Sequence, residues 1–144
     1  MNYAKYMPTD SQRLAQAVAR LNRRLRQERQ SDLTATQLSV LGSVRVLGPA
    51  TPSQIAARER VSQPSVTRTI KCLLDDAYIT KTPHPDDGRQ VLVAMSDLGE
   101  KVLEQERQRR DLWLDRRLST LSADERTRLR DATDLLVRLA EDDA

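Results

Sequence analysis

The stretch from Ser62 to Gly99 constrains this chain more than any other. It reads SQPSVTRTIKCLLDDAYITKTPHPDDGRQVLVAMSDLG. Ser62 can cap a helix, and Pro64 fits the first turn because backbone N–H groups there have no intrahelical partner to lose. Apolar residues follow at Val66, Ile70, Leu73, Leu74 and Ala77, so one face of that helix must be buried. The opposite face carries Gln63, Ser65, Thr67, Arg68 and Lys71, with no carboxylate before Asp75. First turns that are uncharged-polar and basic suit the phosphates and base edges of a DNA major groove. Upstream, Thr51-Pro52-Ser53-Gln54 opens a short helix with a Thr cap, an early Pro and a Gln placed to complete a capping box. That helix turns Ile55 and Ala56 inward and stops near Glu59, leaving Arg60 and Val61 as the turn before Ser62. Two helices so joined are a helix-turn-helix candidate.

Downstream, Tyr78 to Thr82 and Val91 to Met95 are strand-like runs separated by Pro83-His84-Pro85-Asp86-Asp87-Gly88-Arg89-Gln90, which is dense in turn formers. Ser96 can then cap a helix beginning at Asp97. A helix-turn-helix followed by a hairpin is a winged helix. At this point the chain resembles the MarR family of bacterial transcription regulators. The likeness is carried by Val61-Ser62-Gln63-Pro64-Ser65-Val66-Thr67-Arg68 in the recognition helix and by Asp87-Gly88-Arg89, matching the family's Asp-x-Arg in the wing. It continues in Met95-Ser96-Asp97-Leu98-Gly99, where the family has a Leu-Thr-x-x-Gly pattern. Ala77 stands where the family often has Gly, a residue that would allow a left-handed helix end.

The expected fold is mainly α with a small β-hairpin wing, one MarR-like unit over residues 1–144. Residues 34–96 form the winged helix-turn-helix, and residues 1–33 and 97–144 supply flanking dimerisation helices. A chain of 144 residues buries roughly 70% of its unfolded surface and can fold without staples. No apolar run approaches the ~18 residues of a membrane span, and the first ten residues lack a signal peptide's apolar core. A cytoplasmic protein without a membrane partner is expected. The single Cys leaves no intramolecular disulfide framework.

Net charge is only +3, so its distribution matters more than its sum. Residues 51–96 hold six Lys/Arg against five Asp/Glu, but four of the carboxylates, Asp75, Asp76, Asp86 and Asp87, sit at the recognition-helix end and in the wing turn. Arg58, Arg60, Arg68, Lys71, Lys81 and Arg89 are thereby left for phosphates or bases. The expected DNA-binding set is Ser62, Gln63, Pro64, Ser65, Thr67, Arg68, Lys71 and Arg89. By resemblance Arg89 enters the minor groove and Asp87 orients it.

From the amino end, Asp10 or Ser11 can cap a helix running to about Gln30, with Leu14, Val18, Leu21 and Leu25 as a 4-3-4 seam ringed by arginines. Thr34 and Gln37 open a second helix, expected to be buried, with Leu38, Leu41, Val44 and Leu47 inward and an end at Gly48-Pro49. After the wing, a long helix from about Asp97 to Ser119 carries apolar positions Leu98, Val102, Leu112, Trp113 and Leu118. Its middle, Glu104 to Asp111, is almost wholly polar and reads as a wet connector between two packed bodies. Ser122 to Glu125 is a full capping box, and Leu129, Ala132, Leu135, Leu136 and Leu139 trace one face of the last helix. The resemblance implies a homodimer built from the terminal helices, Leu14, Val18, Leu21, Leu25, Leu129, Leu135, Leu136 and Leu139 among them. It also implies a double-stranded DNA operator and a small effector, often aromatic and anionic, bound between the dimerisation and DNA-binding regions.

Other classes fare less well. Gly42, Gly48, Gly88 and Gly99 form neither a dinucleotide fingerprint nor a phosphate loop, and no His stands ready to serve a nucleophile. No enzyme activity and no cofactor are expected. His84 and Cys72 do not make a metal site and His84 reads as an exposed wing residue. Cys72, beside Lys71 and off the apolar stripe, invites a redox-responsive alternative, although relatives that sense oxidants generally do so in the first helix. A winged helix serving only protein interaction is the other alternative. It would need neither the carboxylate-free face nor the wing arginine.

Overall fold

The computed structural model describes residues 7–141. Residues 1–6, part of the segment read above for a signal peptide, and residues 142–144 lie outside the described residues. The elements run α1 (Asp10–Gln27), α2 (Ala35–Leu47), α3 (Pro52–Glu59), α4 (Gln63–Asp75), β1 (Ile79–Pro83), β2 (Val91–Met95), α5 (Asp97–Leu118) and α6 (Ala123–Glu141). The chain is mainly helical with one antiparallel hairpin.

Capping chemistry sets most of these boundaries. Thr34 with Gln37 and Thr51 with Gln54 each exchange hydrogen bonds between the cap and the third helical residue. Ser122 and Glu125 do the same ahead of α6. The first helix corrects its expected cap: Thr9, not Asp10 or Ser11, holds the box with Gln12, and the helix ends at Gln27 rather than near Gln30. β1 pairs with β2 in the register Ile79↔Met95 through Pro83↔Val91, one residue later than the expected start at Tyr78. Ala50 adds a short bridge to Val93, its N–H donating at 3.0 Å and its carbonyl accepting at 2.8 Å.

The core is confined to residues 33–93. Val40, Leu41 and Val44 of α2, Ile55 and Ala56 of α3, Val66, Ile70 and Leu73 of α4, and Ile79 and Val93 of the hairpin are all buried. Full burial of each larger aliphatic side chain contributes about 1.5–3 kcal/mol, and α2 lies at the centre of this cluster. The winged helix is therefore the body that holds itself together. By contrast, α1 and α6 bury no residue. Their apolar stripes stay wet: Leu14, Val18, Leu21, Leu129, Leu135, Leu136 and Leu139 are 38–66% exposed, and Leu25 is half-buried.

Two expectations for the long helix need correction. Leu98 and Leu112, two of its apolar positions, are exposed rather than packed, and the polar middle of α5 is not wet throughout, because Glu106 is only 8% exposed. Its carboxylate turns inward to meet backbone N–H groups of the connector between α1 and α2. Within α4, Leu74 is half-buried, and Ala77 lies past the helix end and is exposed.

At the junction of α4 and the wing, Tyr78 N–H donates to the Leu73 carbonyl at 2.9 Å and Ala77 N–H to that of Leu74 at 3.0 Å. These are the two bonds of a Schellman ending, which requires a left-handed residue just past the cap. Ala77 supplies it at φ 61°. The Ser96 hydroxyl caps α5 by accepting the Gly99 N–H and donates to the Ala77 carbonyl at 2.6 Å. Gly99 packs so close that a Cβ there would stand 2.0 Å from the Tyr78 carbonyl oxygen. Recognition helix, wing and α5 thus meet at one tightly bonded corner.

Candidate nucleic-acid interface

The surface opposite the core face of α4 gathers most of the expected contact residues. Gln63, Pro64, Thr67 and Arg68 line one shallow concavity, and Lys71 is exposed one turn further along the helix. The pattern is the helical complement of the buried Val66, Ile70 and Leu73. Arg68 and Lys71 have no hydrogen bond or ion pair among the described residues, so their charges are uncommitted. The first turn of α4 contains no acidic residue, and its N–H groups add positive potential at the same end.

Not every residue of the expected set faces outward. The Ser62 hydroxyl accepts the Ser65 N–H at 3.4 Å and donates to the Ser65 hydroxyl at 3.0 Å. Ser62 is exposed and Ser65 half-buried, and both hydroxyls take part in the cap. Thr67 donates its hydroxyl proton to the Gln63 carbonyl at 2.9 Å, keeping its methyl and oxygen lone pairs for a ligand.

The wing tip is built from short-range polar contacts. Asp87 accepts from both the backbone N–H and the Nε–H of Arg89 through one oxygen, at 3.1 and 3.3 Å. The Arg89 side chain nevertheless remains 93% exposed. The carboxylate therefore restrains the base of the arginine while leaving the guanidinium end open to solvent. His84 departs from its reading as a plain exposed residue: it is half-buried, and its Nδ1 accepts the N–H groups of Asp86 and Asp87 at 3.1 and 3.2 Å. Sequence signals for that role were present only as the turn-rich run itself. Lys81 and Cys72 are exposed. Among the described residues no group of His, Cys, Asp or Glu is arranged to hold a metal.

A second concavity, of about 610 Å³, lies between α1, α2, α3 and α5. Arg26, Arg29, Arg45, Arg58, Arg107 and Arg110 line it, with Glu28 and Glu106 as the opposing charges. Arg45 is engaged by Glu100 at 3.1 Å and Glu104 at 3.7 Å.

The sequence model described as the MarR family matches residues 33–91, from the first buried residue of the core to the start of β2. An uncharacterised HTH-type transcriptional regulator of Mycobacterium leprae is 44% identical over 130 residues, covering 90% of this chain and 91% of that protein. A putative transcriptional regulator of Pseudomonas aeruginosa is similar in structure, with a TM-score of 0.83, 32% identity and coverage of 94% of this chain and 100% of that one. A mutant MarR of Escherichia coli complexed with operator DNA aligns with a TM-score of 0.65 and 26% identity, over 86% of this chain and 93% of that one.

Proposed function

Because this chain belongs to the MarR family of DNA-binding transcription regulators, we propose that it represses its targets as a homodimer on a pseudo-palindromic operator. The observation that carries this reading is the face formed by Gln63, Pro64, Thr67, Arg68 and Lys71, outward, free of carboxylates and with uncommitted charge. Gln63 and Arg68 have the geometry to hydrogen-bond base edges, Lys71 neutralises phosphate, and Pro64 offers apolar contact to a thymine methyl. Ser62 and Ser65 hold the helix end that presents them. Arg89, restrained by Asp87, reaches the flanking minor groove.

The dimer is supported by two helices that bury nothing within the protomer. An amphipathic helix the length of α1 gains little stability without covering its apolar stripe. Leu14, Val18, Leu21 and Leu25 with Leu129, Leu135, Leu136 and Leu139 are the residues that a second copy would cover, leaving residues 34–96 as the DNA-binding lobe. Two lobes would then place their α4 helices in successive major grooves with half-sites about 10 bp apart. The arginine-rich concavity between α1, α2, α3 and α5 suits a small anionic effector, aromatic or not, whose seating would alter the spacing of the two recognition helices. No helix among the described residues is long and apolar enough to cross a membrane, in keeping with a cytoplasmic site of action.

The test is a titration of the protein against DNA from upstream of its own gene and against scrambled DNA at two salt concentrations. Selective binding should fall steeply with salt. Arg68→Ala should cost about 1–3 kcal/mol and relax preference at one base position of each half-site, while Arg89→Ala should weaken binding and lower the salt slope by about 2, one contact per protomer. Equal affinity for both DNAs, unaffected by either substitution, refutes operator binding and leaves the protein-interaction reading of the winged helix.

A further inference from the structure

The connector between α1 and α2 is the covalent link between the helix assigned to dimerisation and the lobe that carries α4. It is held at two points. At its far end Leu33 is buried in the core of the lobe. Nearer α1, the N–H groups of Gln30 and Ser31 both donate to a single oxygen of Glu106, at 3.2 and 2.7 Å. Arg109, one turn along α5, donates to the same oxygen at 3.4 Å. Glu106 comes from the middle of a helix whose first half packs Val102 and Leu103 against the lobe core and whose second half leaves it, with Leu112 exposed. One carboxylate thus joins the connector to the helix that leads out of the lobe.

We propose that Glu106 is a positioning residue for operator recognition, fixing the angle between the terminal helices and the DNA-binding lobe and hence the separation of the two α4 helices. The proposal rests on the operator-binding reading above. The two connector N–H groups, at an exposed Gln30 and a half-buried Ser31, take one side-chain oxygen of α5 as their shared acceptor. A side chain wanted only for packing could be apolar, since a largely buried charge is weak support for stability by itself. What the carboxylate adds is direction: it holds two successive N–H groups of the connector at one place on α5. Loss of that restraint lets each lobe swing about the Leu33 end of the connector. The dimer would then tolerate half-site spacings that the intact protein rejects.

The experiment compares full-length wild type, Glu106→Gln and Glu106→Asp on three duplexes: the operator, and the operator with one base pair inserted or removed between half-sites. Glutamine keeps an oxygen at the same reach. Aspartate keeps the charge but is one methylene too short, and both are mild enough to fold. Wild type and E106Q should lose about tenfold in affinity on insertion or removal, within the usual range of coupling between sites. E106D should bind the native spacing about tenfold more weakly yet change only about twofold between spacings. Amide exchange at Gln30 and Ser31 should quicken in E106D alone, with melting temperatures followed at fixed protein concentration. The same spacing penalty in E106D as in wild type, or unchanged exchange at the two amides, overturns the proposal. If wild type itself treats operator and scrambled DNA alike, operator binding fails first and this role of Glu106 falls with it, whatever the exchange data show.

Discussion

Replacing Ala77 by glycine should stabilise the protein without altering what it binds. Ala77 closes α4 at φ 61°, in the left-handed region, where its Cβ approaches the following carbonyl oxygen. Such a residue costs about 1–2 kcal/mol relative to glycine. The gain is offset by the larger conformational freedom of glycine in the unfolded chain, about 0.4–1 kcal/mol. The difference lies between about 0 and 1.6 kcal/mol, with a net stabilisation of about 0.8 kcal/mol at the middle of these ranges, because the Schellman bonds from Tyr78 and Ala77 and the Ser96 contact to the Ala77 carbonyl involve no Cβ. For a chain of this length that corresponds to a rise in melting temperature of about 2–3 °C. Thermal and urea unfolding at matched protein concentration would measure it, since the proposed dimer would make stability concentration-dependent. Operator affinity should stay within about twofold, as the backbone path is already the one glycine prefers. A control, Ala77→Val, should destabilise, because a branched side chain fits the left-handed region worse still. An unchanged or lowered midpoint for A77G would refute the claim that strain is stored at this junction.

Gly99→Ala should act in the opposite sense. Its Cβ would meet the Tyr78 carbonyl oxygen at 2.0 Å and the Met95 sulfur at 2.7 Å, so backbone must move and the Ser96 N–H bond to Tyr78 is lost with it. A loss of about 3 kcal/mol is expected by denaturant unfolding, and a loss under about 1 kcal/mol would contradict the close approach. His84→Ala should remove two acceptor contacts at the wing tip, worth about 0.5–1.5 kcal/mol each at most because the site is partly solvated. Faster amide exchange at Asp86 and Asp87 and an operator affinity reduced several-fold are the expected readouts. Unchanged exchange would mean that water replaces the imidazole without loss.

How much of this was legible in the residues depends on how local the determining interaction is. Capping boxes at Thr34, Thr51 and Ser122 and the Ser62 cap act within a few residues, so the helix starts they define are readable from sequence. The buried stripe of α4 follows from helical period alone, and with it the outward placement of Gln63, Thr67, Arg68 and Lys71. Asp87 and Arg89 lie two apart in a tight turn, and their contact needs nothing from elsewhere. Ser65 shows the limit even of short range: it falls on the polar side of the helix, yet its hydroxyl is drawn into the Ser62 cap.

Long-range partners were hidden for a different reason. Glu106 sits in a polar run like any solvated helix face, and only the approach of the α1–α2 connector 75 residues earlier in sequence gives its carboxylate two N–H groups and takes it out of water. Ala50 pairs with Val93 because α2 and the hairpin pack on one core, not because of any strand pattern near Ala50. Ala77 and Gly99 take their meaning from one corner where three elements converge, which compels a left-handed alanine and forbids a Cβ. Sequence alone therefore determined which segments are helices and wing, and which face of α4 points outward, because period and caps are local. Tertiary structure decided where a carboxylate is buried, where strain is held and how the terminal helices are fastened to the lobe. Those depend on groups that only packing brings within hydrogen-bond distance.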